Sequence, residues 1–191
     1  MDIAVIGTGS IGRTLGEALA AAGHGVRYGS RAPEKSVLEA LDGAEAVIVA
    51  IPGGVVEDFA REHGVGLAGK LVIDATNKAS LSADNKVVLD RPGHSAAAFA
   101  AHAPAARYAR AFNHLGSEVF AAPVFDGVVA DLFYSADEAD VETVENIIRD
   151  TGLKPIYLGP DQHDLLDQLL TIWFTLAHDQ GRGRHLAFKV L

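Results

Sequence analysis

The feature that most constrains this chain is an apolar run that leads directly into a glycine-rich turn. Residues 3–6 read Ile-Ala-Val-Ile and residues 7–12 read Gly-Thr-Gly-Ser-Ile-Gly, with Leu15 and Leu19 following at helical spacing. A strand, a G-x-G-x-x-G turn and a helix in this order are the context in which the motif binds a dinucleotide. The sequence therefore predicts a dinucleotide-binding βαβ unit at its start.

Each glycine of the turn has its own task in such a unit. Gly7 permits the tight passage from strand to helix, Gly9 lets the main chain approach a pyrophosphate, and Gly12 lets helix and strand pack closely. Backbone N–H groups at the start of the helix, including those of Ser10 and Ile11, face the anion. We predict these five residues as cofactor contacts.

The end of the second predicted strand indicates which dinucleotide is bound. An NAD-binding fold usually carries an acid there to hold the ribose 2′-hydroxyl, but no acid lies between Val26 and Pro33. Ser30 and Arg31 stand there instead, and a guanidinium can donate two parallel bonds to a 2′-phosphate. Lys35 adds a second cation. We predict NADP(H) as the cofactor, with a solvated basic turn as the alternative interpretation.

Composition limits the remaining classes of function. The chain has 191 residues, 49% of them hydrophobic, a formal net charge of −9 and no cysteine. The negative charge argues against nucleic acid and anionic membranes as partners, and the missing cysteine excludes disulfides and thiolate catalysis. The first predicted strand leaves no room for a signal peptide, and no apolar run reaches membrane-spanning length. We therefore expect a soluble cytoplasmic protein.

Apolar runs alternate with helical patterns along the chain, which is the spacing of βαβ units in a parallel sheet. The predicted strands cover 3–6, 26–28, 46–51, 71–75, 108–112, 128–134 and, at a sheet edge, 155–158. The predicted helices cover 33–41, 55–63, 95–101 and 138–150. We expect an α/β fold with a Rossmann-like, doubly wound and mainly parallel sheet and a short C-terminal helical extension.

A last helix, predicted from Asp161, is apolar on two faces. One face carries Leu165, Leu169, Ile172, Trp173 and Leu176, and the other carries Leu166, Leu170, Phe174 and Ala177. Because two apolar faces need two partners, one should pack on the sheet and the other should border the substrate cavity or a second subunit. We therefore expect an NADP-binding domain, 1–160, and a helical segment, 161–191, that completes the acceptor site and a homodimer interface.

Several short motifs together resemble a known family. They are the glycine turn, Ser30-Arg31, Asp74-Ala-Thr-Asn77, Ala111-Phe-Asn113, Asp131-Leu-Phe-Tyr134 and Gln180-Gly-Arg-Gly-Arg184. With them the chain resembles the deazaflavin-dependent NADP reductases, which use coenzyme F420, over essentially its whole length. The resemblance implies hydride transfer between NADP(H) and F420, and phosphate contacts at Thr8, Ser30, Arg31 and Lys35. Related proteins with the same dinucleotide domain use a flavin, FMN or FAD, instead.

Three further segments follow the carboxyl ends of predicted strands, where the ligands of open α/β sheets collect. They are Ile51-Pro52, Thr76-Asn77 and Asn113-His114, and we expect them to border the nicotinamide. Gly53 departs from part of the family, in which an aromatic residue often follows the proline. A stacking wall is therefore not expected at that position.

His114 is the single candidate for a catalytic side chain. Just beyond a strand end it can orient the nicotinamide carboxamide or donate a proton, and the alternative is an ordinary turn histidine. Asp74 and Asn77 form either a polar contact pair or a local turn. The spacing of the other histidines is not typical of a metal site, so we predict no metal. These are His94, His102, His163, His178 and His185.

Hydride transfer to a deazaflavin requires distance and stacking more than a dedicated acid, because the ring itself takes the hydride. The short segment after Gly159 favours an acceptor that brings its own planar ring. The alternatives are an NADPH-dependent reductase of a flavin, quinone or imine, and a nonenzymatic redox sensor that binds NADP(H). An open apolar cleft beside the last helix would favour an enzyme.

Overall fold

The computed structural model describes residues 1–32, 34–81, 83 and 87–191, and most of its strands form one sheet. The strands are β1 (Asp2–Ile6), β2 (Gly25–Gly29), β3 (Ala46–Val49), β4 (Leu71–Asp74), β5 (Ala79–Leu81), β6 (Val87–Leu89), β7 (Arg107–Arg110), β8 (Val124–Phe125), β9 (Val128–Val129), β10 (Asp131–Ala136) and β11 (Lys154–Tyr157). Seven of them lie in the order β11-β10-β7-β4-β3-β1-β2. Neighbours run parallel except β10 beside β7, while β5–β6 and β8–β9 are small antiparallel pairs.

Helices cover both faces of the sheet. They are α1 (Ser10–Ala21), α2 (Val37–Leu41), α3 (Val56–His63), α4 (Ala96–His102), α5 (Ser117–Ala121), α6 (Val141–Asp150) and α7 (His163–Phe174), and α7 continues into a π-helical turn, Thr175–Asp179. Among the described residues no helix is long and apolar enough to cross a membrane.

The side chains of β3 explain why the sheet has two cores. All four of its residues are buried, with Ile48 packed into one hydrophobic cluster and Val47 and Val49 into another. Successive side chains of a strand point to opposite faces, so a fully apolar strand must be covered twice. The expected Rossmann-like, doubly wound and mainly parallel sheet is confirmed, with β11 at its edge.

The second predicted helix is wrong at its start. Helix α2 covers only Val37–Leu41, and Pro33, the predicted first residue, lies outside the described part of the chain. The preceding segment turns instead, since the Ser30 N–H donates to the Lys35 carbonyl at 2.8 Å. Ser36 then caps α2 by accepting a hydrogen bond from the Glu39 N–H.

The predicted strand 128–134 is two strands. Val128–Val129 pairs back onto Val124–Phe125, and a second strand begins at Asp131. Asp126 and Gly127 join β8 and β9 with φ values of 49° and 83°, and Asp-Gly is a strong signal for such a tight turn. The sequence analysis missed this hairpin because the Asp126-Gly127 turn lies just before the apolar run 128–134, which was predicted as one strand.

Helix α7 has one buried and one exposed apolar face. Leu166, Leu170, Trp173 and Ala177 are buried, whereas Leu165 and Ile172 are 46% and 52% exposed. The prediction that placed Trp173 on the same face as Leu165 and Ile172 is therefore wrong, because the spacing 166, 170, 173, 177 puts it on the buried face. The helix also starts later than expected, since Asp161 has a φ of 55°.

The C-terminal tail returns to the sheet after α7. Gly181 and Gly183 have φ values of 66° and 83° and end the helix as expected. The Trp173 indole N–H donates to the Leu186 carbonyl at 2.8 Å, and Phe188 forms an isolated antiparallel bridge with Asp131. The tail therefore packs beside the first residue of β10.

Candidate active site

The glycine turn between β1 and α1 has the shape that a pyrophosphate requires. Gly7 has a φ of +113°, and a Cβ there would lie 2.3 Å from the Ala50 carbonyl oxygen. A Cβ on Gly12 would lie 2.2 Å from the Gly7 carbonyl oxygen, while the space beside Gly9 is open. The turn thus tolerates no side chain at two of its glycines and leaves the third free for an approaching ligand.

The start of α1 is open to an anion. Ser10 is exposed, no side chain caps the helix and its first turn contains no acid. The first N–H groups of a helix have no internal partner and carry the positive end of its dipole. Ile11 differs from the other predicted contacts of the turn because its side chain packs against the core, so the predicted contact can come only from its backbone N–H.

Two cavities flank the loop that carries the predicted 2′-phosphate residues. The first, about 320 Å³, is lined by Ser30 and Arg31 together with the segment Ile51-Pro52. The second, about 260 Å³, is lined by Thr8 and Lys35. The structure therefore divides the four predicted phosphate contacts into two pairs, which the hydrogen bond from the Ser30 N–H to the Lys35 carbonyl keeps adjacent.

Arg13 is a further cation at this end of the site that the sequence analysis missed. It lines the second cavity, and its Nη2 donates to the Thr8 carbonyl at 3.3 Å. In the same cavity the Lys35 ammonium lies 5.8 Å from the ring centre of Tyr28. Within the described ranges, neither these two cations nor Arg31 forms an ion pair with a carboxylate. The signal for Arg13 was its place directly after the glycine fingerprint.

Gly53 is fixed by close packing in the loop after β3. It is buried, and a Cβ there would lie 2.6 Å from the Asn77 carbonyl oxygen. A larger residue would push the loop after Pro52 away from the loop after β4. The residue that breaks the aromatic pattern of the resembled family is thus the one that brings these two predicted segments together.

Asp74, the last residue of β4, is the centre of a buried polar network. Its Oδ1 accepts from the Thr76 N–H and hydroxyl at 2.9 and 2.6 Å. Its Oδ2 accepts from the Ser95 N–H at 2.9 Å, the Tyr108 hydroxyl at 2.7 Å and Arg110 Nη1 at 3.1 Å. Burial, and then the negative charge of Asp74, raise the pKa of Tyr108 well above its ordinary value, so the phenol remains a donor.

Arg110, the last residue of β7, is the most important residue that the sequence analysis missed. Its side chain is 0% exposed and bridges two carboxylates, with Nη1 on Asp74 and Nη2 on Asp167 Oδ1 at 2.5 Å. Asp167 lies on α7, and its Oδ2 accepts from the Gly93 and His94 N–H groups at 2.7 and 3.1 Å. One guanidinium thus joins the sheet to the last helix.

The predicted nicotinamide residues meet around Arg110. Its Nη1 donates to the Thr76 carbonyl at 3.0 Å and its Nη2 to Asn77 Oδ1 at 3.2 Å. Asn77 Nδ2 donates to the Asn113 carbonyl at 2.7 Å, and Asn113 Nδ2 donates to the Leu166 carbonyl at 3.3 Å. The side chains of Thr76, Asn77 and Asn113 are therefore engaged within the protein, and they fix the backbone at this edge of the sheet.

His114 is enclosed and neutral. It is 0% exposed, and burial together with the nearby Arg110 charge lowers its pKa to about 3. Its Nε2 accepts from the Phe133 N–H at 3.4 Å, so its Nδ1 carries the hydrogen and donates to Asn113 Oδ1 at 3.2 Å. This geometry orients Asn113. The catalytic role expected from the sequence stays a hypothesis.

His94, Asp164 and Asp167 form a cluster that the histidine spacing did not indicate. One donor atom from each lies within 4.8 Å of the others, and His94 Nε2 is 3.2 Å from Asp164 Oδ1. Three N–H groups already occupy the oxygens of Asp167. Among the described residues, His94 and Asp164 are then the ligand groups that this cluster still offers, and two are fewer than a protein metal site normally supplies.

The glycine turn, the Ser30–Lys35 loop and the segments after β3 and β4 all lie within one family match. Residues 2–78 match the family described as NADP oxidoreductase, coenzyme F420-dependent. This stretch, less than half of the chain, is similar to that family. The resemblance and the expected class, an NADP-dependent oxidoreductase that binds NADP(H), are therefore confirmed. The matched stretch ends before Arg110, His114 and α7.

Solved structures extend the likeness over the whole chain. A proposed F420-dependent NADP reductase from Arthrobacter sp. FB24 is 25% identical, with a TM-score of 0.86, and the alignment covers 100% of this chain and 99% of that one. A hypothetical protein from Sinorhizobium meliloti is 24% identical, with a TM-score of 0.70 and coverage of 100% and 95%. A search of curated proteins found no match.

Imine reductases share the fold over part of their length. The enzyme from Bacillus cereus is 17% identical, with a TM-score of 0.69, and the alignment covers 94% of this chain but 62% of that one. At this identity the likeness concerns the fold alone. The family match, by contrast, includes most of the predicted cofactor contacts.

Proposed function

We propose that the protein transfers hydride between NADP(H) and a deazaflavin, coenzyme F420. The observation that carries the proposal is the Ser30–Lys35 loop, whose two cations face open cavities on either side. A phosphate group matches those cations, and the family of residues 2–78 is described as F420-dependent. The solved relative from Arthrobacter, similar over its full length, supports the same acceptor.

The chain's own residues would bind the adenosine half of the cofactor. The pyrophosphate lies against the open start of α1, where Gly9 offers space and backbone N–H groups point outward. The adenine enters the first cavity, between Val37 and the Ile51-Pro52 segment. Arg31 and Ser30 then bind the 2′-phosphate at the same cavity, and Lys35 and Thr8 add a positive charge and a hydroxyl donor in the second cavity. Because a guanidinium stays charged, the positive charge of Arg31 does not change with pH near neutrality.

At the other half of the cofactor, the chain supplies shape and an enclosed polar floor. The bound cofactors supply the two rings between which hydride moves. The loops around Gly53, Asn77 and Asn113 set the distance and tilt of the nicotinamide, because their side chains are held by the protein itself. His114 is neutral near pH 7, so it has no imidazolium proton to donate to the reacting rings. These loops would therefore contribute to catalysis by positioning the nicotinamide ring.

The acceptor is tested by mixing purified protein anaerobically with NADPH and, in separate experiments, F420, riboflavin, FMN and a simple quinone. The account predicts saturable oxidation of NADPH with F420 and much slower reaction with the other acceptors. Faster turnover with FMN or a quinone would replace the deazaflavin by that acceptor. NADPH binding without transfer to any of them would favour a redox sensor.

We also propose a homodimer in which the exposed face of α7 is covered. Leu165 and Ile172 lie on that face, with Leu169 and Leu176 half-buried beside them, and an apolar patch of this kind marks an association site. Segment 161–191 would then complete both the acceptor site and the interface. Light scattering across a dilution series should show a dimer that Ile172→Glu dissociates. A wild-type monomer at high micromolar concentration would contradict the proposal.

A further inference from the structure

The ion network around Arg110 is expensive to bury. Arg110 and Asp74 are both 0% exposed, and Asp167 is nearly so. Each buried charge loses its hydration, and well-packed apolar residues often replace such a network without loss of stability. Stability alone therefore does not explain why three charges stand where β4 and β7 end, at the edge where ligands of this fold bind.

The contacts of Arg110 indicate what the network accomplishes. Its two terminal nitrogens hold the Thr76 carbonyl and Asn77 Oδ1 as well as the two carboxylates. The Asn77 amide then holds the Asn113 carbonyl, and the Asn77 backbone packs against Gly53. Arg110 thus contacts one of the three segments that the sequence analysis assigned to the nicotinamide, and Asn77 links the other two to it.

We infer that Arg110 is a positioning residue, which acts through Asn77 to fix the backbone that receives the nicotinamide. The inference rests on the proposed NADP(H) site and goes beyond it, because Arg110 lies outside the matched stretch 2–78. Through Asp167 the same side chain ties this backbone to α7, the helix that we place beside the acceptor. Arg110 contacts neither cofactor in this account.

Lysine is the substitution that separates charge from geometry. Arg110→Lys keeps a cation between Asp74 and Asp167, but an ammonium cannot reproduce the fork that reaches four acceptors. Arg107→Lys is the matched control, because Arg107 begins the same strand and pairs with the buried Asp140 at the opposite edge of the sheet.

The decisive readout is ligand binding, compared between NADP⁺ and adenosine 2′,5′-bisphosphate, which lacks the nicotinamide half. In Arg110→Lys we expect NADP⁺ affinity to fall about tenfold, the scale of one lost hydrogen bond. Affinity for the bisphosphate should stay within about twofold, since distant sites act independently. Hydride transfer to F420 should slow by about a hundredfold, the scale of a small misplacement. Arg107→Lys should leave all three values unchanged.

A second variant protects the test against misfolding. Asn77→Ala removes the amide through which Arg110 acts but removes no charge, and it should show the same selective loss of NADP⁺ affinity. Combined with Arg110→Lys it should lose little more than the worse single variant, because the two residues act in one path. Fully additive losses would overturn the inference.

The failure of this inference can be distinguished from failure of the proposed function. If the wild type does not bind adenosine 2′,5′-bisphosphate, the NADP(H) site itself is refuted, and the inference with it. If the wild type binds it and Arg110→Lys weakens both ligands equally, Arg110 is only structural. Unchanged binding of both ligands in Arg110→Lys and Asn77→Ala would overturn the positioning role alone.

Discussion

At the proposed adenosine end of the site, the open end, Arg31 and Lys35 line open cavities and have no carboxylate partner among the described residues. At the proposed nicotinamide end, the closed end, Arg110 is buried between Asp74 and Asp167. The same type of charge is thus used in two ways. A cation that is free in the protein can give its full interaction to a ligand. A cation that is already paired with carboxylates instead fixes the positions of protein segments.

This difference separates affinity from geometry. The open end should supply cofactor specificity, because its charges await a phosphate. The closed end should supply little affinity of its own, but it should hold the reacting ring at a fixed distance, where small errors are costly. Substitutions at the two ends should therefore affect different measurements.

The largest expected effect is on folding at the closed end. Asp74→Ala removes the acceptor of five hydrogen bonds and leaves Arg110 with one carboxylate, so the free energy of unfolding should fall by about 3–5 kcal/mol. At the open end Asp58→Ala, which removes an exposed ion pair with Arg61, should change it by less than about 0.5 kcal/mol. Urea unfolding followed by circular dichroism measures both. Equal small changes would mean that the closed network contributes no stability.

The next effect is on binding at the open end. Arg31→Ala should weaken NADPH binding by about 2–3 kcal/mol, the scale of a lost charge-assisted hydrogen bond. NADH binding and the free energy of unfolding should hardly change, because Arg31 is exposed and has no carboxylate partner among the described residues. Fluorescence titration with both cofactors checks this. Equal losses for the two cofactors would show that Arg31 supports the loop rather than the 2′-phosphate.

The pH dependence of stability should report the closed end through His114. In the folded protein its pKa is lowered from 6.5 to about 3 by burial and by Arg110, so between these values only the unfolded chain takes up the proton. His114 therefore costs no stability above pH 6.5, and below it stability falls by about 1.4 kcal/mol for each pH unit. His114→Gln should lose less stability over the same range. Parallel curves for the two proteins would contradict the lowered pKa.

The smallest effect should come from removing the His114 imidazole. His114→Ala should slow hydride transfer to F420 by less than about tenfold, because in this account His114 is not a general acid. Removing a true general acid typically slows the reaction about 10²- to 10⁴-fold. Stopped-flow measurement at saturating NADPH separates this step from cofactor binding. A loss of a hundredfold or more would make His114 the acid and would favour a carbonyl or imine acceptor.

The prediction of the open end rests on signals that are local in the sequence. Gly7, Gly9 and Gly12 follow from a motif whose backbone geometry admits few alternatives, and Arg31 follows from a missing acid at a known distance. The apolar runs of the parallel strands likewise indicated the sheet, with errors at the ends of elements. The sequence did not indicate that the four predicted phosphate contacts line two cavities instead of forming one cluster. That division follows from the packing of the Ser30–Lys35 loop.

The closed end was not predictable in the same way because its partners are distant in sequence. Arg110 lies 36 residues from Asp74 and 57 from Asp167, and no local pattern joins them. Arg110, a charged residue inside the apolar run 108–112 that was predicted as a strand, was a usable signal, since buried charges are almost always paired. The choice of partner required the tertiary structure.

The most direct test of the account is calorimetric titration of the wild-type protein with NADP⁺, NAD⁺ and adenosine 2′,5′-bisphosphate. If the free cations of the open end determine specificity, NADP⁺ and the bisphosphate should both bind. NAD⁺ should then bind at least about 30-fold more weakly than NADP⁺, which corresponds to about 2 kcal/mol. Equal affinity for NAD⁺ and NADP⁺ would contradict the account.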